Sequence, residues 1–374
     1  MQPSTRPSVA IIGTRGYPSY YGGFETAVRH LAPYLAESGW DVTVYGRRGA
    51  TKPEDSARDE RVQSVLTRGV ESSSLSTLSY GLTASWDAAI RRPPSAALVM
   101  NVANGFFLPL LSAKNIPTLV NVDGIEWERQ KWGRLAKSMF RVGAKLTARY
   151  GTELVFDAKA IGDRWRSEFG RDGVFIPYGG TAPGELEPVP QFAAGTYALA
   201  VARFVPENTI PEFLEAATIL AKNHPVVIVG STGYGGDLDA RAQALVDSEP
   251  NVHWLGHVSD DTLLFALLRN AGVYFHGHSV GGTNPALVQA MACGAPIVAR
   301  DTIYNREVLG DAGVFVEPTP HAIAAGLEAM ITSPHSRALA RQNALARSAE
   351  LYTWESVCAA YERALRKLIN ARAL

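Results

Sequence analysis

Short apolar runs alternate with amphipathic windows along nearly the whole chain. SVAIIG (8–13), DVTVYG (41–46), AALVMNV (96–102), PTLVNV (117–122) and ELVF (153–156) have the length and β-branched content of strands. Between the first two, Ala27, Leu31 and Leu35 recur at helical spacing and predict a helix over about 24–38. Strand, helix, strand in this order predicts a parallel, doubly wound sheet with helices on both faces.

The pattern lapses at 178–194, YGGTAPGELEPVPQFAA, where Gly, Pro and Ala crowd together as in a linker. It restarts with YALAVA (197–202), VVIVG (226–230), VHWLG (252–256), GVYFHG (272–277) and PIVAR (296–300), and a last helix is predicted over about 354–372. The expected organisation is a first Rossmann-like domain, 1–188, and a second, 189–350. A C-terminal helical segment, 351–374, is expected to return toward the first. Two such halves on a flexible hinge predict a ligand cleft between the carboxyl ends of their sheets.

Composition narrows the classes. Hydrophobic residues make up 46% and charged residues 19%, which excludes a disordered chain. Lys and Arg number 36, as do Asp and Glu, so excess positive charge is not available for nucleic acid. The halves differ: 1–188 carries 23 basic and 19 acidic residues, or +4, and the remainder 13 and 17, or −4. Two cysteines, Cys293 and Cys358, make no disulfide framework and fit a reducing cytoplasm. The start, MQPSTRPS, lacks signal-peptide character, and no window reaches about 18 uninterrupted apolar residues. The expectation is a cytoplasmic protein, soluble or lying on a membrane surface.

Four segments carry candidate chemistry. GTRGYPSYYGGFE (13–25) sets glycines between strand and helix, where backbone amides can approach an anion; its spacing does not fit a dinucleotide fingerprint. HGHSVGGTNPALVQAM (276–291) leads a second helix from a glycine loop, with Gln289 placed to bond a sugar or ribose hydroxyl. VARFVPENT (201–209) puts Arg203 just after a strand, where a guanidinium can fork onto phosphate. NVDGIEWERQKWG (121–133) puts Asp123 and Glu126 at a strand-to-helix turn, and Asp123 reads equally as a catalytic carboxylate or a helix cap. His276 and His278 read as packing or capping residues. Asp237 and Asp239 have a metal-type spacing but head a helix, so capping accounts for them and no metal is expected.

A basic stripe runs over 129–150 without an acidic residue. Arg134, Lys137, Arg141, Lys145 and Arg149 share one helical face. Leu135, Met139, Val142 and Leu146 form an apolar flank about 110° away by the 3.6-residue period. Arg134, Lys137, Arg141 and Lys145 are therefore candidate contacts to an anionic membrane.

Taken together, these motifs resemble family-four retaining glycosyltransferases of the GT-B fold, and nearly the whole chain is covered. GTRGYPSYYGGFE, NVDGIEWERQKWG, VARFVPEN, LGHVSD, HGHSVGGTNPALVQAM and YNREVLGDAG are similar to the rhamnosyltransferase-type subgroup of bacterial surface-polysaccharide synthesis. The resemblance implies Asp123 and Arg203 as catalytic residues. It implies a donor site of Gly22, Gly23, Arg203, Asn208, His257 beside the base, Gly282, Thr283, Asn284 and Gln289 at the ribose. It further implies a dTDP- or UDP-sugar donor, L-rhamnose above all, no required cofactor, and a lipid-linked saccharide acceptor. The chain departs from the wider family, which has lysine at Asn208 and glutamates at Gly281 and Gln289. The subgroup also lacks the lysine and the first glutamate; an uncharged Gln289 implies ribose binding weaker by about 1–2 kcal/mol, tolerable with a deoxyribose donor. Two rival readings are a sugar-nucleotide epimerase and a degenerate protein serving as sugar-nucleotide sensor or scaffold.

Overall fold

The structure, a computed structural model, describes residues 6–20, 22–51, 54–70, 76–129, 132–233 and 235–372. The chain divides into two units, Met1–Tyr178 with Trp354–Leu374, and Gly179–Thr353.

The first unit runs β1 (Ser8–Ile12), α1 (Gly23–Glu37), β2 (Asp41–Gly46), β3 (Val62–Leu66), α2 (Ser76–Ile90), β4 (Ala96–Met100), a 3₁₀ turn (Val102–Phe107), α3 (Leu108–Ala113), β5 (Thr118–Asn121), α4 (Arg134–Tyr150), β6 (Glu153–Phe156), α5 (Lys159–Phe169) and β7 (Val174–Phe175). Among the described residues these strands form one parallel sheet in the order β3-β2-β1-β4-β5-β6-β7. The central strands are covered on both faces, and β4 is buried at every position. Ala27, Leu31 and Leu35 of α1 are buried, as their spacing predicts, and Leu31 and Leu35 join Val28 in that core.

The second unit runs β8 (Ala198–Val201), α6 (Ile210–Leu220), β9 (Val226–Val229), α7 (Asp237–Ser248), β10 (Val252–Trp254), α8 (Asp261–Asn270), β11 (Val273–His276), α9 (Pro285–Ala292), β12 (Ile297–Arg300), α10 (Ile303–Leu309), β13 (Gly313–Val316), α11 (Pro320–Thr332) and α12 (Pro334–Leu351). Its sheet is also parallel, in the order β10-β9-β8-β11-β12-β13, with an apolar cluster on each face.

The last helix, α13 (Trp354–Arg372), packs in the first unit. Val357, Tyr361, Leu365 and Leu368 are buried at intervals of three or four residues, and Trp354 stacks on His30 with ring centroids 4.2 Å apart. Truncating one such buried leucine to alanine costs about 2–5 kcal/mol.

Candidate active site

In the first unit, β4 and β5 lie side by side with Met100 opposite Asn121, so both strands end at one level. The backbone then turns sharply in each. Asn101 has φ +70° with ψ 137° and Asp123 has φ +60°, positive values that side chains other than those of asparagine and aspartate seldom adopt. This ends β4 two residues short and β5 one residue short of the apolar runs that predict them. The turns aim the two side chains at each other: Asn101 Nδ2 donates to Asp123 Oδ2 at 3.2 Å, while Asn101 Oδ1 accepts from Ala103 N at 2.9 Å.

Asp123 is held from its other side too. Its backbone N–H donates to Asn121 Oδ1 at 2.9 Å, and Asn121 Nδ2 donates to Tyr361 Oη of α13 at 2.7 Å. A continuous chain of hydrogen bonds therefore connects the C-terminal helix to the backbone of Asp123. Asp123 does not cap a helix: the 3₁₀ turn that follows, Glu126–Glu128, starts from Ile125. The carboxylate is half-exposed, and the turn that carries it is fixed from both sides by these bonds. Beside it, burial pushes the Tyr178 phenol well above its ordinary range, and the charges of Asp123 and Asp157 push it further, so Tyr178 keeps its proton.

Glu126, the other carboxylate of this turn, is occupied. It pairs with Arg129 at 2.6 Å and accepts from Trp132 Nε1 at 2.8 Å. Gly22 caps α1 at φ −169°, ordinary extended backbone, and a Cβ there would stand 3.4 Å from Glu25 Oε2. Gly23 is the first residue of α1. Glu25 is buried and accepts from Arg15 N at 2.9 Å, which fastens the glycine loop. Tyr21, Gln130 and Lys131, part of the motifs quoted above, lie outside the described residues.

In the second unit, Arg203 follows β8 and is exposed. Asn208 is buried and donates from Nδ2 to Arg203 O at 3.0 Å, so its amide shapes the loop that carries the arginine. Glu207 O accepts both Ser279 N at 2.9 Å and Ser279 Oγ at 2.8 Å, and Thr209 Oγ1 donates to Gly277 O at 2.5 Å. These bonds stitch the Arg203 loop to residues 277–279, which lead into the glycine loop 281–284; the Arg203 and glycine loops are the two segments expected to meet a diphosphate. Thr209 sits at φ +59°, a strained setting for a β-branched residue, and Arg300 Nη1 donates to its hydroxyl at 3.0 Å.

The glycine loop itself differs in one respect from a bare helix N-terminus. Pro285 has no N–H, Asn284 Oδ1 accepts from Ala286 N at 3.0 Å, and Asn284 O accepts from Leu287 and Val288. The first turn of α9 is satisfied by Asn284. Amides for an anion must come from the preceding loop, which includes Gly282 and Thr283. His257 is exposed, next to Gly256 at φ +63°. Gln289 is turned to the backbone of Thr181, on the segment that enters this unit. His276 is fully buried, hydrogen-bonded to Tyr274 Oη at 3.0 Å and stacked on His278; burial, then His278, holds it well below the usual histidine range. Asp239 accepts from Thr232 N at 3.0 Å and from the Thr232 hydroxyl, which ties α7 to the loop before it; the helix starts from Gly236 without a side-chain cap, so the capping expected of Asp237 and Asp239 is not what they do. Among the described residues no group of three His, Cys, Asp or Glu comes together as a metal site.

The basic stripe forms α4, which buries Phe140, Gly143, Ala144 and Thr147. Of the apolar flank, Leu135 is 86% exposed and Val142 44%, beside exposed Arg134, Lys145 and Arg149, whereas Met139 and Leu146 are half-buried, as is Lys137. Two of the stripe's cations are engaged: Arg129 by Glu126, and Arg141 by Glu168 of α5. None of the described helices is long and apolar enough to cross a membrane.

Asn101, Asn121, Tyr178 and Tyr361 were not singled out by the sequence. Asn101 stood inside an apolar run, and only its polarity at a strand end hinted at a turn.

Comparison with known proteins agrees with this architecture. Residues 22–179 match the family described as glycosyl transferase 4-like domain, and residues 189–347 match glycosyl transferases group 1. O-antigen chain mannosyltransferase B of Escherichia coli is 27% identical over 183 residues, 47% of this chain and 48% of that protein. The match thus spans about half the length of this relative. Sucrose-phosphate synthase of Thermosynechococcus elongatus superimposes with TM-score 0.82 at 19% identity, over 98% of this chain and 100% of that one. Anabaena HepE, solved with UDP-glucose, gives 0.76 at 14%, over 97% and 100%. At such identities these structures establish the fold, which is GT-B.

Proposed function

The chain is a glycosyltransferase by its matches, glycosyl transferases group 1 in the second unit and the glycosyl transferase 4-like domain in the first, and from that premise we propose that it moves a sugar from a nucleoside diphosphate to a hydroxyl of a lipid-linked saccharide in cell-surface polysaccharide synthesis. The observation that carries this reading is Asp123, held at φ +60° between Asn101 and Asn121 at the carboxyl end of its sheet. Asp123 has the role of orienting the acceptor hydroxyl. Arg203 and the amides of the loop 281–284 neutralise the departing diphosphate, whose charge grows as the glycosidic bond breaks. The sugar's anomeric configuration is retained.

The donor we assign is dTDP-L-rhamnose, on the strength of the motif HGHSVGGTNPALVQAM and its neighbours. The E. coli relative is named a mannosyltransferase and HepE was solved with UDP-glucose, so GDP-mannose and UDP-glucose are the competitors to test. A thermal-shift screen decides among them: a donor at about 100 times its Kd stabilises by about 2.7 kcal/mol. No shift with any sugar nucleotide would leave the scaffold reading in its place. Conversion of the donor without an acceptor would favour an epimerase.

A second reading concerns location. The exposed Leu135 and Val142 beside Arg134 and Lys145 support α4 as a contact to an anionic bilayer, each exposed basic residue adding about 1 kcal/mol. Vesicle flotation with and without anionic lipid tests this.

A further inference from the structure

The side chain of Gln289 makes a reciprocal pair within its own unit. Its Oε1 accepts from Thr181 N at 3.0 Å, and its Nε2 donates to Thr181 O at 2.8 Å. Nε2 also reaches Cys293 Sγ at 3.3 Å. Only a carboxamide completes this pairing, because a carboxylate has two acceptors and no donor.

The segment that Gln289 grips is closely fitted by independent contacts. Gly180 N donates to Tyr352 O at 2.8 Å, and Gly180 bridges to Thr353. A Cβ on Gly180 would stand 2.8 Å from Ala292 Cβ and 2.9 Å from Val288 O, both on α9. The chain enters this unit at Gly179 and leaves it at Thr353. Gln289 therefore fastens the entering segment to the helix led by the loop 281–284.

We infer that Gln289 sets donor specificity by omission: with its amide committed to Thr181, α9 offers the nucleotide's sugar no partner, and the site takes 2′-deoxyribose and ribose alike. This rests on the donor-site reading above. A site rejects an analogue lacking a hydroxyl because a buried group of its own is then left unpaired. Here the group is paired before any nucleotide arrives. Reaching a ribose hydroxyl would break two bonds to make one or two, so a ribonucleotide gains nothing and a deoxyribonucleotide loses nothing. A glutamate at this position would set an oxygen against the Thr181 carbonyl and be released toward the sugar.

The test uses nucleotide pairs that differ only at the 2′ position, UDP with dUDP and GDP with dGDP, titrated into the intact protein by calorimetry. The expected result is dissociation constants within about threefold for the members of each pair that binds, and a ribonucleotide preference of roughly tenfold in Q289E. A tenfold ribonucleotide preference in the unaltered protein overturns the inference and leaves the donor-site reading standing. A second measurement needs no nucleotide. Q289M should speed hydrogen exchange of the Thr181 amide by roughly tenfold, since it removes the acceptor. Unchanged protection there refutes the latch. Failure of all four nucleotides and of dTDP to bind would instead sink the donor-site reading, with the exchange result deciding the latch alone.

Discussion

Replacing Asn101 separates the positioning of Asp123 from the stability of the turn that carries it. Asn101 does three things at once: it occupies φ +70°, accepts from Ala103 N at 2.9 Å, and donates to Asp123 Oδ2 at 3.2 Å. In Asn101→Ala all three are lost. The positive φ costs alanine about 1 kcal/mol and the missing cap about 1 more. At 2–4 °C per kcal/mol for a unit of this size, Tm should fall by about 4–8 °C. Asn101→Gly loses the same cap but adopts the positive φ freely, so its Tm should fall by only about 2–4 °C. The bond to the carboxylate is absent from both variants. A hydrogen bond to a charged group contributes about 1.5–3 kcal/mol, which predicts roughly a 10- to 100-fold loss of transfer rate in each if all of it acts in the transition state. The assay pairs calorimetric melting with initial rates of sugar transfer at saturating donor. Full activity in Asn101→Gly would refute the reasoning, because the carboxylate would then need no partner from β4.

Three further outcomes follow from other parts of the molecule. Burial, helped by Arg29, lowers the His30 imidazole to about 4 where it stacks on Trp354. The unfolded chain takes up this proton near pH 6.5 and the folded chain only near 4, so stability should decline as pH falls through that window, by the order of 2 kcal/mol after allowance for partial exposure. His30→Phe should flatten that slope in denaturant titrations, and an unchanged slope would count against it. Arg203→Ala should weaken nucleoside diphosphate binding by roughly 30-fold in calorimetry, with Arg203→Lys intermediate, since lysine cannot fork onto two oxygens. Equal affinities would remove Arg203 from the donor site. Reversing Arg134, Lys137 and Lys145 to glutamate should abolish flotation with anionic vesicles, whereas Arg141→Glu alone should matter less because Glu168 already engages it.

The alternation of apolar strands and amphipathic helices was legible along most of the chain because central parallel strands are buried on both faces and show it as unbroken apolar runs, as in β4 and β8. Of the edge strands only β10, within VHWLG, was legible. β3, VQSVL, mixes polar and apolar positions, and β13, GVFV, is half-exposed and begins on a glycine. Helix α2, STLSYGLTASWDAAI, was missed for a related reason: its small and polar residues give no clear stripe. Motifs located the loops that carry Asp123, Arg203 and the glycines, since those depend on residue type over a few positions. What the motifs did not contain was the company these residues keep. The link from Tyr361 through Asn121 to Asp123 joins positions 240 residues apart, and Gln289 meets Thr181 across 108. Such pairings arise from tertiary packing, which a single sequence does not display.

The central claim is that Asp123 and Arg203 serve one sugar-transfer reaction. Its most direct measurement is to incubate the purified protein with dTDP-L-rhamnose and a lipid-linked saccharide acceptor, and to read the new glycosidic linkage by NMR. The account predicts a product with the donor's anomeric configuration, formed by the unaltered protein and reduced at least 100-fold in Asp123→Asn and in Arg203→Ala, an estimate for losing a group that acts in the transition state. An inverted linkage, or undiminished transfer by either variant, would contradict it.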